Sequence, residues 1–243
     1  MQDYPRSLPE NAAVGFTVVS QVWAAYSPVK NGASAAAAKA ALGEPTHSAA
    51  AAEFDLYKSA CRALQLAGGC ALPDGDAPGA RRDRFGGVPV EGDWPRVALS
   101  PAFAPTLGEL ARRLGRLGPR EPGPEPPIRL AARSVLVLDG AGIEVRGPVD
   151  VDGALVVRAA PGCHVVVGAL RVRNRGWAWR AIGEGGEGGG GGAREEDAMR
   201  GFVVDRLETE EYVFERPGEY HVGGGEEGQE VRRRVEGSAL VPA

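Results

Sequence analysis

One lysine stands on a short turn that directly follows an apolar run, and its ammonium group could bind a phosphate. The turn is Tyr26-Ser27-Pro28-Val29-Lys30-Asn31, and the run before it, 14–23, predicts a buried strand. Pro28 fixes its own backbone and biases Ser27 towards an extended conformation. An ammonium group at the mouth of a strand offers phosphate oxygens a point charge with three donors. The alternative is that Lys30 is an ordinary surface lysine, since most lysines are exposed.

Two predicted helices follow this turn. The Ala-rich run 33–42 is expected to be helical and to end at Gly43 and Pro45. A longer helical pattern follows Thr46-His47-Ser48, in which Thr46 or Ser48 is the expected N-cap, and it stops at Gly68-Gly69. The helical spacing places these residues on its buried face: Phe54, Tyr57, Cys61 and Leu64, widened by Leu56, Ala60 and Ala63.

The longer helix is expected to support the turn, because only a short stretch separates it from Lys30. His47 could reach the same cleft as the lysine. A role in capping the helix is the competing interpretation, since polar residues are preferred at helix starts.

The second half of the chain has apolar pairs spaced two residues apart. Pairs that start at 143, 149 and 155 follow one another at intervals of six residues, and glycines separate them. This spacing indicates a small parallel β-helix, in which each coil buries its face on its neighbours. A β-sandwich is the competing interpretation, although strict six-residue spacing is uncommon in hairpins.

The predicted fold class is α/β, in two domains. The first domain covers 1–117, with a loop at 73–93, a strand near 94–99 and a short helix at 106–114. A Pro-rich linker, 118–127, leads to a β-helix-like domain at 128–222 with a Gly-rich insertion at 183–193, and a disordered tail follows at 223–243. We expect residues 128–222 to fold independently and residues 1–70 to be unstable alone.

Composition excludes several classes of function. The formal net charge is −4 and no basic stripe is interleaved with aromatic residues, which argues against nucleic acid as a partner. The three cysteines form no C-x-x-C pair and the three histidines have no metal-ligand spacing, so neither a disulfide framework nor a metal site is predicted. No apolar run reaches the roughly 20 residues of a membrane span, and the pattern of the first residues does not predict a signal peptide. The expected compartment is the cytoplasm.

Several short motifs occur together in one order, and this order resembles a known family. The motifs are Met1-Gln2-Asp3-Tyr4-Pro5, Val14-Gly15-Phe16-Thr17-Val18, Ser27-Pro28-Val29-Lys30-Asn31, Thr46-His47-Ser48, Asp152-Gly153-Ala154-Leu155-Val156-Val157, Asn174-Arg175-Gly176-Trp177, Arg200-Gly201-Phe202 and Glu215-Arg216-Pro217-Gly218-Glu219-Tyr220. The ordered set resembles the C-terminal part of the plant and algal UDP-sugar pyrophosphorylases, also called UTP–monosaccharide-1-phosphate uridylyltransferases. The resemblance covers most of 1–222 and is loose at 73–127.

The resemblance implies a fold and an activity. Residues 1–117 would be the C-terminal part of a Rossmann-like nucleotidyltransferase domain, followed by the small β-helix-like domain. The reaction would be reversible transfer of a uridylyl group from UTP to sugar 1-phosphates, which gives UDP-sugars and pyrophosphate. The family needs a divalent metal, Mg²⁺ or Mn²⁺, whose ligands are not expected in this chain.

The resemblance also assigns residues. The family's phosphate-contacting lysine corresponds to Lys30, which is therefore the expected catalytic residue. Ser27, Asn31 and His47 are expected to shape the turn or to bind the substrate phosphate.

The family's Gly-rich nucleotide loop, its uracil-reading residues and most of its sugar-reading residues are not found in this sequence. We therefore expect the 243 residues to be inactive by themselves, as a fragment of such an enzyme. The alternative is a non-catalytic β-helix module for assembly or binding. A hexapeptide-repeat acyltransferase is a third alternative, which the short and irregular repeat does not favour.

Overall fold

The computed structural model describes residues 7–15, 17–19, 26–115, 125–182 and 195–223, together with the backbone of 233–236. Its helices are Ala33–Ala41 (α1), Ala49–Gly68 (α2), Leu107–Arg113 (α3) and Glu195–Arg200 (α4). The helices α1 and α2 precede residue 82, and strands dominate from residue 82 onwards.

The first two helices begin and end close to the predicted residues. Helix α1 ends just before Gly43, which has a positive φ of 70°. Helix α2 is capped by Ser48, whose Oγ accepts a hydrogen bond from Ala51 N at 3.1 Å. It ends at Gly69, which adopts the left-handed conformation that favours glycine. The predicted helix at 106–114 is also present as α3, with Thr106 as its N-cap.

The buried face of α2 agrees with the prediction in most positions. Phe54, Cys61 and Leu64 are buried, whereas Tyr57 is partly buried. Leu56 was expected to widen this face and does not, because its side chain is 51% exposed.

A two-stranded antiparallel hairpin was missed by the sequence prediction of a loop at 73–93. Its strands are Arg82–Phe85 (β1) and Val88–Glu91 (β2). The two residues between them, Gly86 and Gly87, both have positive φ angles, 54° and 78°. Positive φ at both central positions defines the type I′ turn that suits the twist of a hairpin.

Most of the remaining strands pair in parallel. Their bounds are Arg96–Leu99 (β3), Ile128–Leu130 (β4), Val135–Asp139 (β5), Ile143–Val145 (β6), Val149–Asp152 (β7), Ala154–Ala159 (β8), Cys163–Val167 (β9), Leu170–Arg173 (β10), Trp177–Ala181 (β11), Phe202–Arg206 (β12), Glu208–Phe214 (β13), Gly218–Val222 (β14) and Arg233–Glu236 (β15). Strands β11 and β12 form a separate antiparallel pair.

Successive strands enter three parallel sheets in turn. The first sheet has the order β10-β7-β4, the second contains β13-β8-β5-β3, and the third has the order β14-β9-β6. Each round of the chain therefore adds one strand to each sheet. The pairing is parallel, whereas the hairpins of the competing β-sandwich would pair antiparallel.

One apolar core joins the helices to these sheets. One buried cluster contains Leu64 of α2, Leu110 of α3 and Trp94, which precedes β3, together with residues of β5, β8 and β13. Strand β3 also pairs with β5, so one sheet contains strands from before and after the predicted linker. Most of that linker lies outside the described residues, and the domain boundary stays a prediction.

One prediction for the start of the chain needs correction. The run 14–23 was expected to be a buried strand, but its described residues, 14, 15 and 17–19, are not in a strand. Val18 is 84% exposed. No described strand pairs with this run, and a strand without a neighbour has no partner for its backbone N–H and C=O groups. Within the tail predicted to be disordered, 223–243, the residues of β15 pair antiparallel with β13, and the prediction for the tail as a whole stays a prediction.

The mixed α/β arrangement with mostly parallel sheets agrees with the predicted fold class. The Gly-rich insertion at 183–193 lies outside the described residues. None of the described helices has both the length and the apolar character that crossing a membrane requires.

Candidate functional site

The turn that carries Lys30 is held by the residues just before α2. The backbone N–H groups of Lys30 and Asn31 both donate to the carbonyl oxygen of His47, at 2.8 and 3.1 Å. The Asn31 side chain donates to the carbonyl oxygen of Thr46 at 2.8 Å. These three bonds join the turn to the start of α2, and Asn31 contributes two of them.

His47 has an unusual backbone and does not supply the helix cap. Its φ is 45°, in the left-handed region, which costs a non-glycine residue about 1–3 kcal/mol. Ser48 supplies the side-chain cap of α2 instead. The strained conformation of His47 directs its carbonyl oxygen to the turn, where it accepts two hydrogen bonds.

Ser27 is tied to α2 by its hydroxyl group. Ser27 Oγ donates to Asp55 Oδ2 at 2.6 Å, a short distance typical of a hydrogen bond to a carboxylate. Asp55 lies on the second turn of α2. Both ends of the Ser27–Asn31 turn are therefore attached to the same helix or to the residues leading into it.

A polar cleft of about 340 Å³ opens beside this turn. Its polar lining consists of Ser27, Thr46, His47, Asp55, Arg82 and Glu91. Phe54, Pro45, Pro89 and Val90 are among its apolar lining residues. The volume is near the lower limit of ligand pockets, about 300–1,000 Å³, so the cleft suits a small ligand or part of a larger one.

Lys30 lies at the edge of this cleft. Its side chain is exposed and is not part of the lining, although its backbone is bonded to His47, which is. Within the described parts of the chain, the Lys30 ammonium group makes no ion pair.

Helix α2 is fastened to the second half of the chain by a bidentate ion pair. Arg200 donates to both carboxylate oxygens of Glu53, at 2.8 and 2.7 Å. Tyr57 also donates to Glu53, at 2.6 Å. Burial, followed by the negative charge of Glu53, raises the pKa of Tyr57, so this phenol stays protonated and keeps its hydrogen bond.

A buried arginine supports the cleft from behind. The Arg96 guanidinium lies over the rings of Phe54 and Trp179, at 4.4 and 5.1 Å from their centroids, and the residue is 1% exposed. It donates to the carbonyl oxygens of Trp94 and Gly92. Burial lowers the pKa of Arg96 to about 10, so the group remains charged at neutral pH. Phe54 is therefore held between the cleft and a fixed cation.

The described residues contain no obvious place for a metal ion. No group of three or more His, Cys, Asp or Glu side chains converges within them. The divalent metal that the resemblance implies stays an expectation, since Mg²⁺ is commonly held by one or two carboxylates together with substrate phosphates.

The structure brings together part of the predicted site. Ser27 and His47 line one cleft, and Lys30 and Asn31 sit on the turn at its edge. Asp55, Arg82 and Glu91 were missed by the sequence analysis. Glu91 and Arg82 belong to the hairpin that was taken for a loop, and the Gly86-Gly87 pair is the signal that could have revealed it.

No protein-family model matches the chain. The chain is 30% identical over 222 residues to a UDP-sugar pyrophosphorylase of Arabidopsis thaliana, which covers 91% of the chain and 32% of that relative. It is 31% identical over 214 residues to a UDP-sugar pyrophosphorylase of Oryza sativa subsp. indica, which covers 88% of the chain and 31% of the relative. The chain is similar to the UDP-sugar pyrophosphorylases. The resemblance predicted from the ordered motifs is thus confirmed.

The extent of the similarity bears on the site. A span of 222 residues in a chain of 243 necessarily contains the Lys30 turn, helix α2 and the parallel strands from β4 to β13. The chain spans about a third of the length of these pyrophosphorylases, 32% in the first case and 31% in the second, which is consistent with a C-terminal portion.

Proposed function

We propose that the chain is part of a uridylyltransferase that makes UDP-sugars and pyrophosphate from UTP and sugar 1-phosphates, reversibly. The observation that carries this proposal is the similarity to UDP-sugar pyrophosphorylases over a span that includes the Lys30 turn. The geometry supports it, because the turn holds an exposed ammonium group at the edge of a polar cleft.

Lys30 is proposed to bind phosphate oxygens during uridylyl transfer. An oxygen of the sugar 1-phosphate attacks the α-phosphorus of UTP, a new P–O bond forms, and the bond to pyrophosphate breaks. Negative charge is redistributed over the phosphate oxygens in this step, and an ammonium group fixed nearby stabilises it. Asn31 and Ser27 keep the turn in place, and His47 holds it through its carbonyl oxygen.

The 243 residues are proposed to be inactive by themselves. The Gly-rich nucleotide loop and the uracil-reading residues expected for this activity are not found in the sequence. The ligands for Mg²⁺ or Mn²⁺ are likewise proposed to lie outside this chain. A non-catalytic module is less well supported, because the similarity is not restricted to the parallel strands and includes the turn.

Residues 128–222 are proposed to be a β-helix-like domain. The support is the order in which strands enter the three sheets: β4, β5 and β6 are followed by β7, β8 and β9, and each new strand pairs in parallel with the one a full round earlier. Coils stacked in this way bury their inward faces on their neighbours.

The first test uses a hybrid enzyme, because the chain lacks the nucleotide loop. The matched segment of the Arabidopsis relative is replaced by this chain, and pyrophosphate-dependent breakdown of UDP-glucose is measured with Mg²⁺. We expect the hybrid to be active and the chain alone to be inactive. Lys30→Ala should lower kcat/KM of the hybrid by about 10²–10³, as for the loss of one group that stabilises transition-state charge.

Lys39→Ala is the matched control. Lys39 is also a lysine near the turn, but it pairs with Glu44 on the exposed side of α1, and we expect its loss to leave kcat/KM unchanged. Near-ultraviolet circular dichroism shows whether each hybrid is folded. A folded hybrid without activity, or one that does not need Lys30, would contradict the proposal. Turnover by the 243 residues alone would contradict the claim that they are inactive.

A further inference from the structure

The carboxylate of Asp55 makes a direct contact with the turn that carries Lys30. It accepts the hydroxyl hydrogen of Ser27 at 2.6 Å, across 28 positions of the chain. We propose that Asp55 is a positioning residue, which fixes the turn through Ser27 and so aims the Lys30 ammonium group at the substrate phosphate. The kinetic part of this inference rests on the proposed function, whereas the effect on the turn does not.

The turn has two attachments, and Asp55 provides the first of them. The second attachment is the start of α2, where the Lys30 and Asn31 amides donate to the His47 carbonyl and the Asn31 side chain donates to the Thr46 carbonyl. Between the two, Pro28 has no N–H group to donate, and Val29 is 56% exposed, so little packing restrains it. Without the bond to Asp55, the turn would be held from one end only.

Asp55 is itself on a rigid support. It follows Phe54, which is 3% exposed and lies under the Arg96 guanidinium. Helix α2 is capped by Ser48 at its start and by Gly69 at its end. The position of the Asp55 carboxylate is therefore set by a packed helix, and a hydrogen bond to it transmits that position to the turn.

The charge of Asp55 argues against a direct role in phosphate binding. A carboxylate repels a phosphate group at short range, and this one already accepts a hydrogen bond from Ser27. Asp55 also lines the cleft, where its carboxylate could accept hydrogen bonds from sugar hydroxyls. Experiment distinguishes this second role from positioning. The two roles differ in kinetics, because positioning acts on kcat and substrate contact acts on KM.

The effect on the turn is tested in the full 243-residue chain by NMR relaxation. The backbone order parameters at Val29 and Lys30 are measured for Asp55→Ala, Ser27→Ala and the double variant. We expect a decrease from about 0.85 towards about 0.6 in both single variants, with no further decrease in the double variant. Asp55→Asn keeps an acceptor oxygen and should retain the order of the unaltered chain.

Two variants serve as controls for these measurements. Ser34→Ala removes an exposed hydroxyl on α1, and Glu44→Ala removes an exposed carboxylate after it. Neither should change the order parameters of the turn. The inference is overturned if Val29 and Lys30 are equally ordered in the unaltered chain and in Asp55→Ala.

The kinetic effect is tested in the hybrid enzyme. Asp55→Ala should lower kcat about tenfold with KM and the melting temperature nearly unchanged, since small displacements of a positioned group are costly. Asp55→Asn should restore most of the activity. In a Lys30→Ala background, Asp55→Ala should have no further effect, because Asp55 acts through Lys30.

The outcomes separate this inference from the proposed function. If Lys30→Ala removes activity and Asp55→Ala does not, the positioning role is wrong and the proposed function stands. A rise in KM alone would assign Asp55 to substrate contact and also overturn the positioning role. If the turn loosens in Asp55→Ala while Lys30→Ala leaves activity intact, the structural role stands and the proposed role of Lys30 fails.

Discussion

Several of the residues that carry the resemblance to UDP-sugar pyrophosphorylases join backbone segments that are distant in sequence. Asn174 is the clearest case. Its Oδ1 accepts hydrogen bonds from Ala154 N at 2.7 Å and Gly176 N at 2.9 Å, and its Nδ2 donates to Ala154 O at 3.0 Å. A Cβ atom at Gly153 would lie 2.2 Å from Asn174 Oδ1, so this close contact requires glycine. The motifs at 152–157 and 174–177 thus form one structural unit.

Replacing Asn174 with alanine should therefore destabilise the protein. The change removes the hydrogen bonds of Asn174 to three backbone groups of Ala154 and Gly176, and we expect the free energy of unfolding to fall by about 2–3 kcal/mol. Urea denaturation followed by circular dichroism measures this change. Asn11→Ala, at an exposed position, should alter it by less than about 0.5 kcal/mol. Equal stability of the two variants would show that Asn174 does not hold this unit together.

Sequence reasoning identified the Lys30 turn, but it did not identify the long-range contacts of Asp55 and Asn174. Pro28 and the apolar run mark the turn locally, because they act on the backbone of their own neighbours. Asp55 and Asn174 are joined to partners 28 and 20 positions away, and nothing in their own segments shows those partners. Such contacts arise only once the fold has placed the segments side by side.

At the scale of elements, α2 connects the turn with the second half of the chain. Its Glu53 pairs with Arg200 at the end of α4, and the Arg200 guanidinium lies 4.5 Å from the centroid of the Phe202 ring. Phe202 is fully buried and contacts Phe54 edge-to-face at 6.0 Å. The Arg200-Gly201-Phe202 motif therefore docks α4 and β12 onto the helix that supports Lys30.

Removing the Arg200–Glu53 ion pair should destabilise the protein, and the loss should depend on the planar shape of the guanidinium group. Arg200→Ala is expected to lower the free energy of unfolding by about 1–2 kcal/mol, reduced for the partial exposure of the pair. Arg200→Lys should recover less than half of the loss, because an ammonium group cannot bind both carboxylate oxygens in the same way. Thermal and urea denaturation of each variant give these values.

Arg180→Ala is the control for this element. Arg180 also pairs with a carboxylate, Asp205, at 3.0 Å, but its side chain is 67% exposed. An exposed pair contributes little, so we expect a change below about 0.5 kcal/mol. The interpretation of Arg200 fails if Arg200→Lys is as stable as the unaltered chain.

The elements that the sequence predicted are those with local signals. Helices α1 and α2 were located by glycine, proline and serine at their ends, since these residues act within one turn. The run 14–23 has a strand pattern, yet a strand forms only beside a partner, and the described chain offers none. Pattern alone could not establish whether a partner exists.

At the scale of the whole molecule, the first part of the chain completes the core of the second. The buried cluster that fills the three sheets also contains large side chains from before the predicted linker: Leu64, Trp94, Val97, Phe103, Leu110 and Leu114. Strand β3 covers one edge of β5. The spacing of apolar residues changes at the linker, and this change suggested two separate cores. The sequence could not show that side-chain packing continues across the linker.

The shared core gives reason to expect that residues 125–223 do not fold by themselves, contrary to the expectation from sequence. Six large side chains at about 1.5 kcal/mol or more each amount to about 9 kcal/mol, which matches the whole stability of a typical domain, about 5–15 kcal/mol. Circular dichroism should therefore show that a fragment of 125–223 is unfolded or aggregated. A chain of 26–243 should unfold in one urea transition, which tryptophan fluorescence and circular dichroism should both report. The second fragment is the control, because the described residues before 26 are exposed or partly exposed. A stable, cooperative 125–223 fragment would show instead that the β-helix-like domain folds without the helices and does not need their side chains to complete its core.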